Sequence, residues 1–210
     1  MDGLYPIFLN LAGRPCLVVG GGAVAERKTE ELLKCGAKVT VVSPSLSAGL
    51  ERRAAVGEVE VFIRPFRPDD IDGHLLVFAA TDDPAVNRSA AEESARRGAL
   101  CNVADRPALG AFVVPSLVRQ GPLQIAISTG GNSPAYARLV RERLEEIFGD
   151  EHRDFLKFLR QLRPRVAARY PDDEAMRRQV WERVVRWEML DLVREGRWNK
   201  VEEVVSACLS

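Results

Sequence analysis

Three glycines directly follow a short apolar run near the start of the chain and give the first chemical signal. Leu17–Val19 is too short for a helix and is rich in β-branched residues, which is typical of a buried strand. Gly20, Gly22 and Ala25 then match the pattern G-x-G-x-x-G/A. In that pattern the first glycine allows a tight turn, the second lets a pyrophosphate approach the backbone, and the small third residue lets a helix pack closely on the strands. The free N–H groups and positive dipole end of that helix would face the anion.

The segments around the glycines come in the order that a dinucleotide site requires. Glu26 to Lys34 is amphipathic and predicts a helix that Gly36 ends, and Val39 to Val42 predicts a second buried strand. Strand, glycine-rich loop, helix and strand together form a β-α-β unit, which favours dinucleotide binding. The alternative is a glycine-rich turn in an α/β domain that binds nothing.

The second predicted strand lacks the acidic residue that commonly holds the adenosine ribose at its end. Ser43, Pro44 and Ser45 stand there instead, and serine hydroxyls could reach the ribose. This site alone therefore does not decide between NAD and NADP. Arg27 and Lys28 lie in the first helix, where we expect them to be solvated rather than to hold a phosphate.

A further predicted strand, Leu75 to Ala80, runs directly into polar residues. Ligands of open α/β sheets bind at the carboxyl ends of the strands, so Thr81 and Asp82 should line the cofactor crevice. The alternative is a helix start, since Asp82 or Asp83 before Pro84 would cap the helix that follows. The sequence supports both interpretations.

Asp105 is the strongest candidate for an acid or base. It follows the predicted strand Leu100 to Val103 at the carboxyl edge of the sheet, where partial burial would raise its pKa towards neutrality and suit it to proton abstraction. The alternative is that it caps the turn before Pro107. His74 and His152 are the only histidines and lie far apart, so we expect neither a histidine metal site nor a Ser-His triad.

The composition argues against several classes of function. Lys+Arg and Asp+Glu number 30 each, so no net charge draws the chain to nucleic acid or to a membrane, and we expect neither as a partner. No apolar run approaches transmembrane length, and we find no signal-peptide pattern. The four cysteines are scattered without C-x-x-C spacing, which favours reduced thiols and a cytoplasmic location.

The two ends of the chain differ from the β-α-β region. Leu4 to Leu11 is apolar and predicts an extended segment that packs on the sheet. Leu123 to Ser128 alternates as a half-buried strand does, which indicates an antiparallel layer apart from the parallel sheet and suggests a subunit interface. Ser133 and Pro134 predict a helix start. Beyond Gly149, amphipathic spacing predicts helices whose apolar stripes form a bundle core.

Five segments together resemble one family, that of the siroheme-synthase dehydrogenases, which contains precorrin-2 dehydrogenases, some of them also sirohydrochlorin ferrochelatases. The resemblance covers nearly all of Leu4 to Glu146. The segments are LYPIFLNLAGRPCLVVGGGAVAERK, GAKVTVVSP, FAATDDPAVN, NVADRPALGAFVVPS and PLQIAISTGGNSPAYARLVRERLE. The extension from Asp150 to Ser210 resembles the helical tail of the stand-alone enzymes.

This resemblance implies a reaction and a cofactor. Such enzymes use NAD+ to remove two hydrogens from precorrin-2, giving sirohydrochlorin, with the aspartate at the position of Asp105 as the proposed base. The family also lacks the acid at the end of the second strand, so its absence here agrees with NAD. The resemblance places cofactor contacts at Gly22, Ala23, Val24, Ser43, Pro44 and Ser45.

The resemblance also implies an organisation and a partner. The family is dimeric, and the region after Phe112 is exchanged between subunits. We therefore expect a Rossmann-type α/β fold with a parallel sheet in a NAD-binding domain (1–113), a dimerisation and substrate-site segment (114–149) and a helical C-terminal domain (150–210). We expect a homodimer.

A polycarboxylate substrate such as precorrin-2 needs hydrogen-bond donors. Arg138, the N–H groups of the turn from Thr129 to Ser133, and Arg119 are the candidates. No feature of the sequence decides whether the chain also inserts a metal into sirohydrochlorin; Asp105 is the metal ligand we expect if it does. Two rival hypotheses are a non-catalytic nucleotide-sensing Rossmann module and a metal chelatase whose NAD binding is vestigial.

Overall fold

The computed structural model of the chain describes residues 3–210. Met1 and Asp2, which begin the predicted domain 1–113, lie outside the described residues. The chain divides into two compact units, the first up to Val114 and the second Pro115–Ser210. The predicted boundary between residues 149 and 150 stays a prediction.

The first unit is built on a five-stranded sheet in which all strands run parallel. Its order β3-β2-β1-β4-β5 is that of a dinucleotide-binding fold, which confirms the predicted Rossmann-type architecture. The strands are β1 (Pro15–Val19), β2 (Lys38–Ser43), β3 (Glu60–Ile63), β4 (Leu76–Ala79) and β5 (Leu100–Val103).

Helices cover both faces of this sheet, which explains why the central strands are continuously apolar. In β1, Cys16 and Val18 join one hydrophobic cluster while Leu17 and Val19 join another, because successive side chains of a strand point to opposite faces. The first cluster includes residues of α1 and α2, and the second includes residues of α3. These helices are α1 (Ala23–Lys34), α2 (Ala48–Ala55) and α3 (Pro84–Arg97).

Two expectations for the first unit are wrong. Residues 4–9 have no helix or strand and are exposed, and within Leu4 to Leu11 Leu11 alone is buried. Tyr5, Ile7 and Phe8 are 85%, 58% and 68% exposed, so these side chains do not pack on the sheet. Lys28 is not solvated either, since its side chain is 12% exposed and its Nζ lies 3.2 Å from Glu31.

The second unit combines a hairpin with five helices. Its two strands are antiparallel and form a sheet of their own, which agrees with the layer predicted from Leu123 to Ser128. The elements are β6 (Ser116–Gln120), β7 (Leu123–Ile127), α4 (Pro134–Ile147), α5 (Asp150–Arg169), α6 (Glu174–Val184), α7 (Trp187–Arg194) and α8 (Trp198–Leu209).

The predicted helix-bundle core is present in this unit. Phe155, Phe158, Leu162 and Val166 lie on the buried face of α5 and pack with residues of α6, α7 and α8. Not every large apolar residue of these helices joins the core, since Trp187 is 66% exposed. Among residues 3–210, no helix is long and apolar enough to cross a membrane.

A bidentate ion pair stabilises the connection between β3 and β4. The Arg64 guanidinium donates to both oxygens of Asp70 at 2.6 and 2.8 Å, and the N–H of Arg67 donates at 2.7 Å. Burial opposes the charged form, but the bonds from Arg64 and Arg67 outweigh it and lower the pKa of Asp70. The pair holds the 3-10 turn Pro68–Ile71, which places Ile71 in the core.

Replacing Asp70 by Asn should lower the free energy of unfolding at pH 7 by about 1–3 kcal/mol, because a hydrogen-bonded charge pair is lost. The folded-state pKa is depressed, so this stabilisation is present above the unfolded pKa of about 4 and is lost as pH falls through the folded value. Urea unfolding at several pH values measures the difference. Asp69→Asn is the control, since that carboxylate is 88% exposed. Equal effects of the two variants at pH 7 would contradict this prediction.

Candidate functional site

The glycine-rich loop after β1 leaves no room for side chains at its first two positions. A Cβ on Gly20 would lie 2.3 Å from the carbonyl oxygen of Ala80, and the φ of Gly20 is +123°. A Cβ on Gly21 would lie 1.9 Å from the carbonyl oxygen of Ser45 and 2.7 Å from Oγ of Ser43. The loop therefore packs directly against the segments that follow β2 and β4.

The third glycine is placed differently and meets the requirement of a phosphate cradle. A Cβ on Gly22 would meet no atom within 4 Å, and Gly22, Ala23 and Val24 are exposed. Gly22 is the N-cap of α1, and no side chain caps this helix. The backbone N–H groups of its first turn are thus available to an anion beside the positive end of the helix dipole. The pyrophosphate of a dinucleotide fits this arrangement.

Two residues that the sequence analysis missed fix the loop after β2. The N–H of Ser47 donates to the carbonyl of Gly21 at 2.7 Å, and its hydroxyl donates to the carboxylate of Glu26 at 2.6 Å. The segment from Ser43 to Ser45 is therefore held beside the glycine-rich loop, with Ser43 buried and Pro44 and Ser45 exposed. The sequence feature that could have indicated this contact was Glu26, the one acidic residue in the first turn of α1.

Thr81 lies at the end of β4, as predicted, but its polar atoms are bonded within the chain. Its hydroxyl is 2.8 Å from Oδ1 of Asn87 and 3.1 Å from the carbonyl of Asp83. Asp83 caps α3 by accepting from the N–H of Ala85 at 2.8 Å, which confirms the cap interpretation for Asp83. Asp82 is exposed. Thr81 thus lies at the crevice edge and also shapes the start of α3.

Asp105 lies at the carboxyl end of the sheet, two residues after β5. One of its carboxylate oxygens accepts from Nδ2 of Asn87 at 3.3 Å, and the other lies 3.8 Å from Nε of Arg106. Its side chain is 50% exposed, so the expected partial burial is wrong for this chain. The 3-10 turn Pro107–Leu109 has Arg106 at its N-cap and no side-chain cap, so Asp105 does not cap it. The carboxylate is accessible to a ligand and to water.

The predicted substrate contacts belong to the second unit. The Oγ1 of Thr129 accepts from the N–H of Ser133 at 3.1 Å, and Oγ of Ser133 accepts from the N–H of Tyr136 at 3.1 Å and caps α4. These hydroxyls therefore build the turn before α4. Arg138 and Arg119 are exposed, on α4 and β6 respectively. A role for these residues in binding substrate stays a prediction.

The buried thiols are poor nucleophiles. Burial raises the pKa of Cys16 to about 11 and also raises the pKa of Cys101, so both are protonated near neutrality. Within residues 3–210, no group of three or more His, Cys, Asp or Glu side chains is placed to hold a metal ion. The geometry of the first unit thus combines an anion cradle with an accessible carboxylate at one edge of a sheet.

Three family models match consecutive parts of the chain. Residues 7–116 match the family described as putative NAD(P)-binding, residues 120–147 the central region of sirohaem biosynthesis proteins, and residues 153–209 the sirohaem synthase dimerisation region. The chain belongs to the siroheme synthase family. The family described as NAD(P)-binding coincides with the unit that contains the glycine-rich cradle, as the predicted resemblance required.

Individual relatives agree with the family models. The siroheme synthase of Thioalkalivibrio sulfidiphilus is 40% identical over 98% of this chain and 42% of its own length, and that of Xylella fastidiosa is 41% identical over 100% and 44%. The chain thus spans less than half the length of these curated relatives. The solved structure of SirC, a precorrin-2 dehydrogenase, superposes with a TM-score of 0.80 at 26% identity, over 95% of this chain and all of that one.

The two ends of the glycine-rich loop should respond differently to a methyl group. Gly22→Ala should leave the thermal midpoint unchanged, because the added Cβ points into open space. It should weaken NAD+ binding about ten-fold or more, since one misplaced methyl group in a binding site costs about that much. Calorimetric titration with NAD+ and scanning calorimetry measure both quantities.

Gly20→Ala is the matched control for this comparison. Its Cβ would meet the Ala80 carbonyl and its φ is strained for alanine, so the free energy of unfolding should fall by about 1–3 kcal/mol. Undiminished NAD+ binding by a folded Gly22→Ala variant would contradict the cradle.

Proposed function

We propose that this chain oxidises precorrin-2 to sirohydrochlorin in siroheme biosynthesis, as an NAD-dependent dehydrogenase. The observation that carries the proposal is the placement of an uncapped helix start at Gly22 and an accessible carboxylate at Asp105 on the same edge of one parallel sheet. Similarity to SirC and to siroheme synthases supports the choice of substrate.

Each group in this proposal has one task. The cofactor, when bound, supplies the acceptor for the hydride. Removing two hydrogens as a hydride and a proton then requires one base, and we assign that task to Asp105. Its exposure lets the carboxylate pass the proton on to water. The backbone N–H groups of Gly22, Ala23 and Val24 hold the pyrophosphate, and Thr81 and the segment from Ser43 to Ser45 line the remaining crevice.

We assign NAD rather than NADP as the cofactor. The carboxylate of Glu26 is held by Ser47 against the segment after β2, where the adenosine ribose lies in this fold. A 2′-phosphate beside this carboxylate would be repelled, whereas the two hydroxyls of NAD would not. Arg53, on α2, does not offset this repulsion, because its guanidinium is already paired with Glu58 at 2.6 Å.

We extend the proposal to the three predicted parts of the chain. We assign residues 1–113 to cofactor binding, residues 114–149 to dimerisation and substrate binding, and residues 150–210 to a helical C-terminal domain. The model of the dimerisation region over residues 153–209 supports a homodimer. Thr129, Ser133 and Arg138 would then serve the carboxylates of the substrate. Four free thiols support a reducing compartment, which we take to be the cytoplasm.

Asp105→Ala should lower the rate of NADH formation from precorrin-2 by about 10²–10⁴-fold, because the base is removed. The Kd for NAD+ should not change, because no cofactor contact is lost. Absorbance of NADH and of sirohydrochlorin measures the rate, and calorimetry measures the Kd. Asp105→Asn is the matched variant, since it keeps the shape and loses the basicity.

Two outcomes of this assay would contradict the proposal. A wild-type rate in Asp105→Ala would refute the assigned base. NAD+ binding without any turnover of precorrin-2 by the unaltered chain would favour a nucleotide-sensing module instead. Iron insertion is measured separately, by giving the same protein sirohydrochlorin and Fe²⁺ as substrates.

The purified chain should be a dimer, so light scattering should give twice the chain mass of 23.3 kDa. Helix α4 presents Tyr136 and Leu139, which are 59% and 60% exposed in the single chain, and an exposed apolar face of this kind marks an interface. Leu139→Glu should shift the protein towards monomer. Val56→Glu, at a position 72% exposed in the first unit, is the control. A monomeric unaltered chain would contradict this prediction.

A further inference from the structure

One buried polar side chain in the first unit has no place in the function described so far. Asn87 is 2% exposed and lies on the face of α3 that otherwise presents Ala90, Ala91 and Ser94 to the core. Burying an amide among such residues costs free energy unless each of its polar atoms is hydrogen-bonded. The contacts of Asn87 therefore indicate what its amide does.

The amide of Asn87 joins the ends of two strands. Its Oδ1 accepts from the N–H of Thr81 at 3.1 Å and lies 2.8 Å from the hydroxyl of Thr81. Its Nδ2 donates to the carbonyl of Thr81 at 2.9 Å and to the carboxylate of Asp105 at 3.3 Å. Thr81 follows β4 and Asp105 follows β5, and these strands are neighbours in the sheet.

The chemistry of the partners fixes which way this amide points. A backbone N–H only donates, so the atom that faces the N–H of Thr81 is the amide oxygen. A carbonyl and an ionised carboxylate only accept, so the atom that faces the carbonyl of Thr81 and the carboxylate of Asp105 is the amide nitrogen. The opposite orientation would place acceptor against acceptor and donor against donor. Asn87 is therefore held rigidly by Thr81 and offers its remaining N–H to Asp105.

Asp105 has little else to hold its side chain. The carboxylate is half exposed, and the guanidinium of Arg106, which lies 3.8 Å from it, is itself on a side chain that is 51% exposed. An ion pair between such exposed groups restrains geometry weakly. A hydrogen bond from a buried, fixed amide restrains it more, because the donor does not have to be ordered first.

We propose that Asn87 is a positioning residue that holds the carboxylate of Asp105 toward the crevice at the sheet edge. This inference rests on the proposed function of Asp105 as the base. A base acts only from the correct position, and a displacement of about 1 Å reduces a rate by up to about 10²-fold. Asn87 would thus act on the catalytic step through Asp105, without touching cofactor or substrate.

Two variants separate this role from a purely structural one. Asn87→Ala removes all four contacts of the amide. Asn87→Asp keeps an acceptor for the N–H of Thr81 but replaces the donor to Asp105 by a like charge. Both should lower kcat for precorrin-2 oxidation by about 10–10²-fold, because the donor to the base is lost. Both should leave KM and the Kd for NAD+ within roughly two-fold, because Thr81 keeps its hydrogen bond to the carbonyl of Asp83.

Ser94→Ala is the matched control on the same helix. Ser94 is fully buried and its hydroxyl donates to the carbonyl of Ala90 at 2.6 Å, two turns away from Asn87. This variant should keep the wild-type kcat, although it also loses a buried hydrogen bond of α3.

The deciding experiment is a double-mutant cycle with Asp105→Ala. If Asn87 acts through Asp105, neither Asn87 variant should lower kcat further once Asp105 is alanine. Equal losses in both backgrounds, a weakened Kd for NAD+, or a wild-type kcat in both Asn87 variants would overturn the inference while leaving Asp105 as the base. A wild-type rate in Asp105→Ala alone would instead overturn the proposed function.

Discussion

The ends of three parallel strands converge on a loop whose first two glycines have no space for a side chain. Gly20 packs against the backbone after β4, and Gly21 against the backbone after β2. Because both contacts are made by backbone, α1 begins close to the sheet and its uncapped first turn faces the crevice. The cradle for the cofactor takes its position from this contact. A larger residue at either glycine would separate the strand ends that the cofactor must bridge.

The groups that line the crevice come from both sides of the central strand, β1. β2 and its following segment lie on one side of β1, whereas β4 and β5 lie on the other. Open parallel sheets bind ligands at this point, where the chain order reverses. The groups assigned to the cofactor follow β1, β2 and, for Thr81, β4, whereas the proposed base follows β5 and its amide lies on α3. A redox cofactor and a base can therefore act on one substrate while each is held by different elements.

Local sequence patterns predicted the elements well, because their apolar periods and glycines are strong signals. The Rossmann-type sheet and the glycine-rich loop follow from such patterns around Gly20 and Gly22. The exposure of Asp105 did not, since burial at a strand end depends on which segments fold over it. Asn87 was missed because its partners lie 6 and 18 positions away along the chain. The one feature of the sequence that pointed to it was a polar residue at helical spacing from Ala90, Ala91 and Ser94, on the buried face of α3.

A crystal structure of the chain with NAD+ would show directly how this crevice is used. We expect the pyrophosphate on the backbone N–H groups of Gly22, Ala23 and Val24, and the carboxylate of Asp105, bonded to Asn87, facing the nicotinamide across the crevice. A dinucleotide bound elsewhere, or a carboxylate that faces away from the nicotinamide, would contradict this expectation.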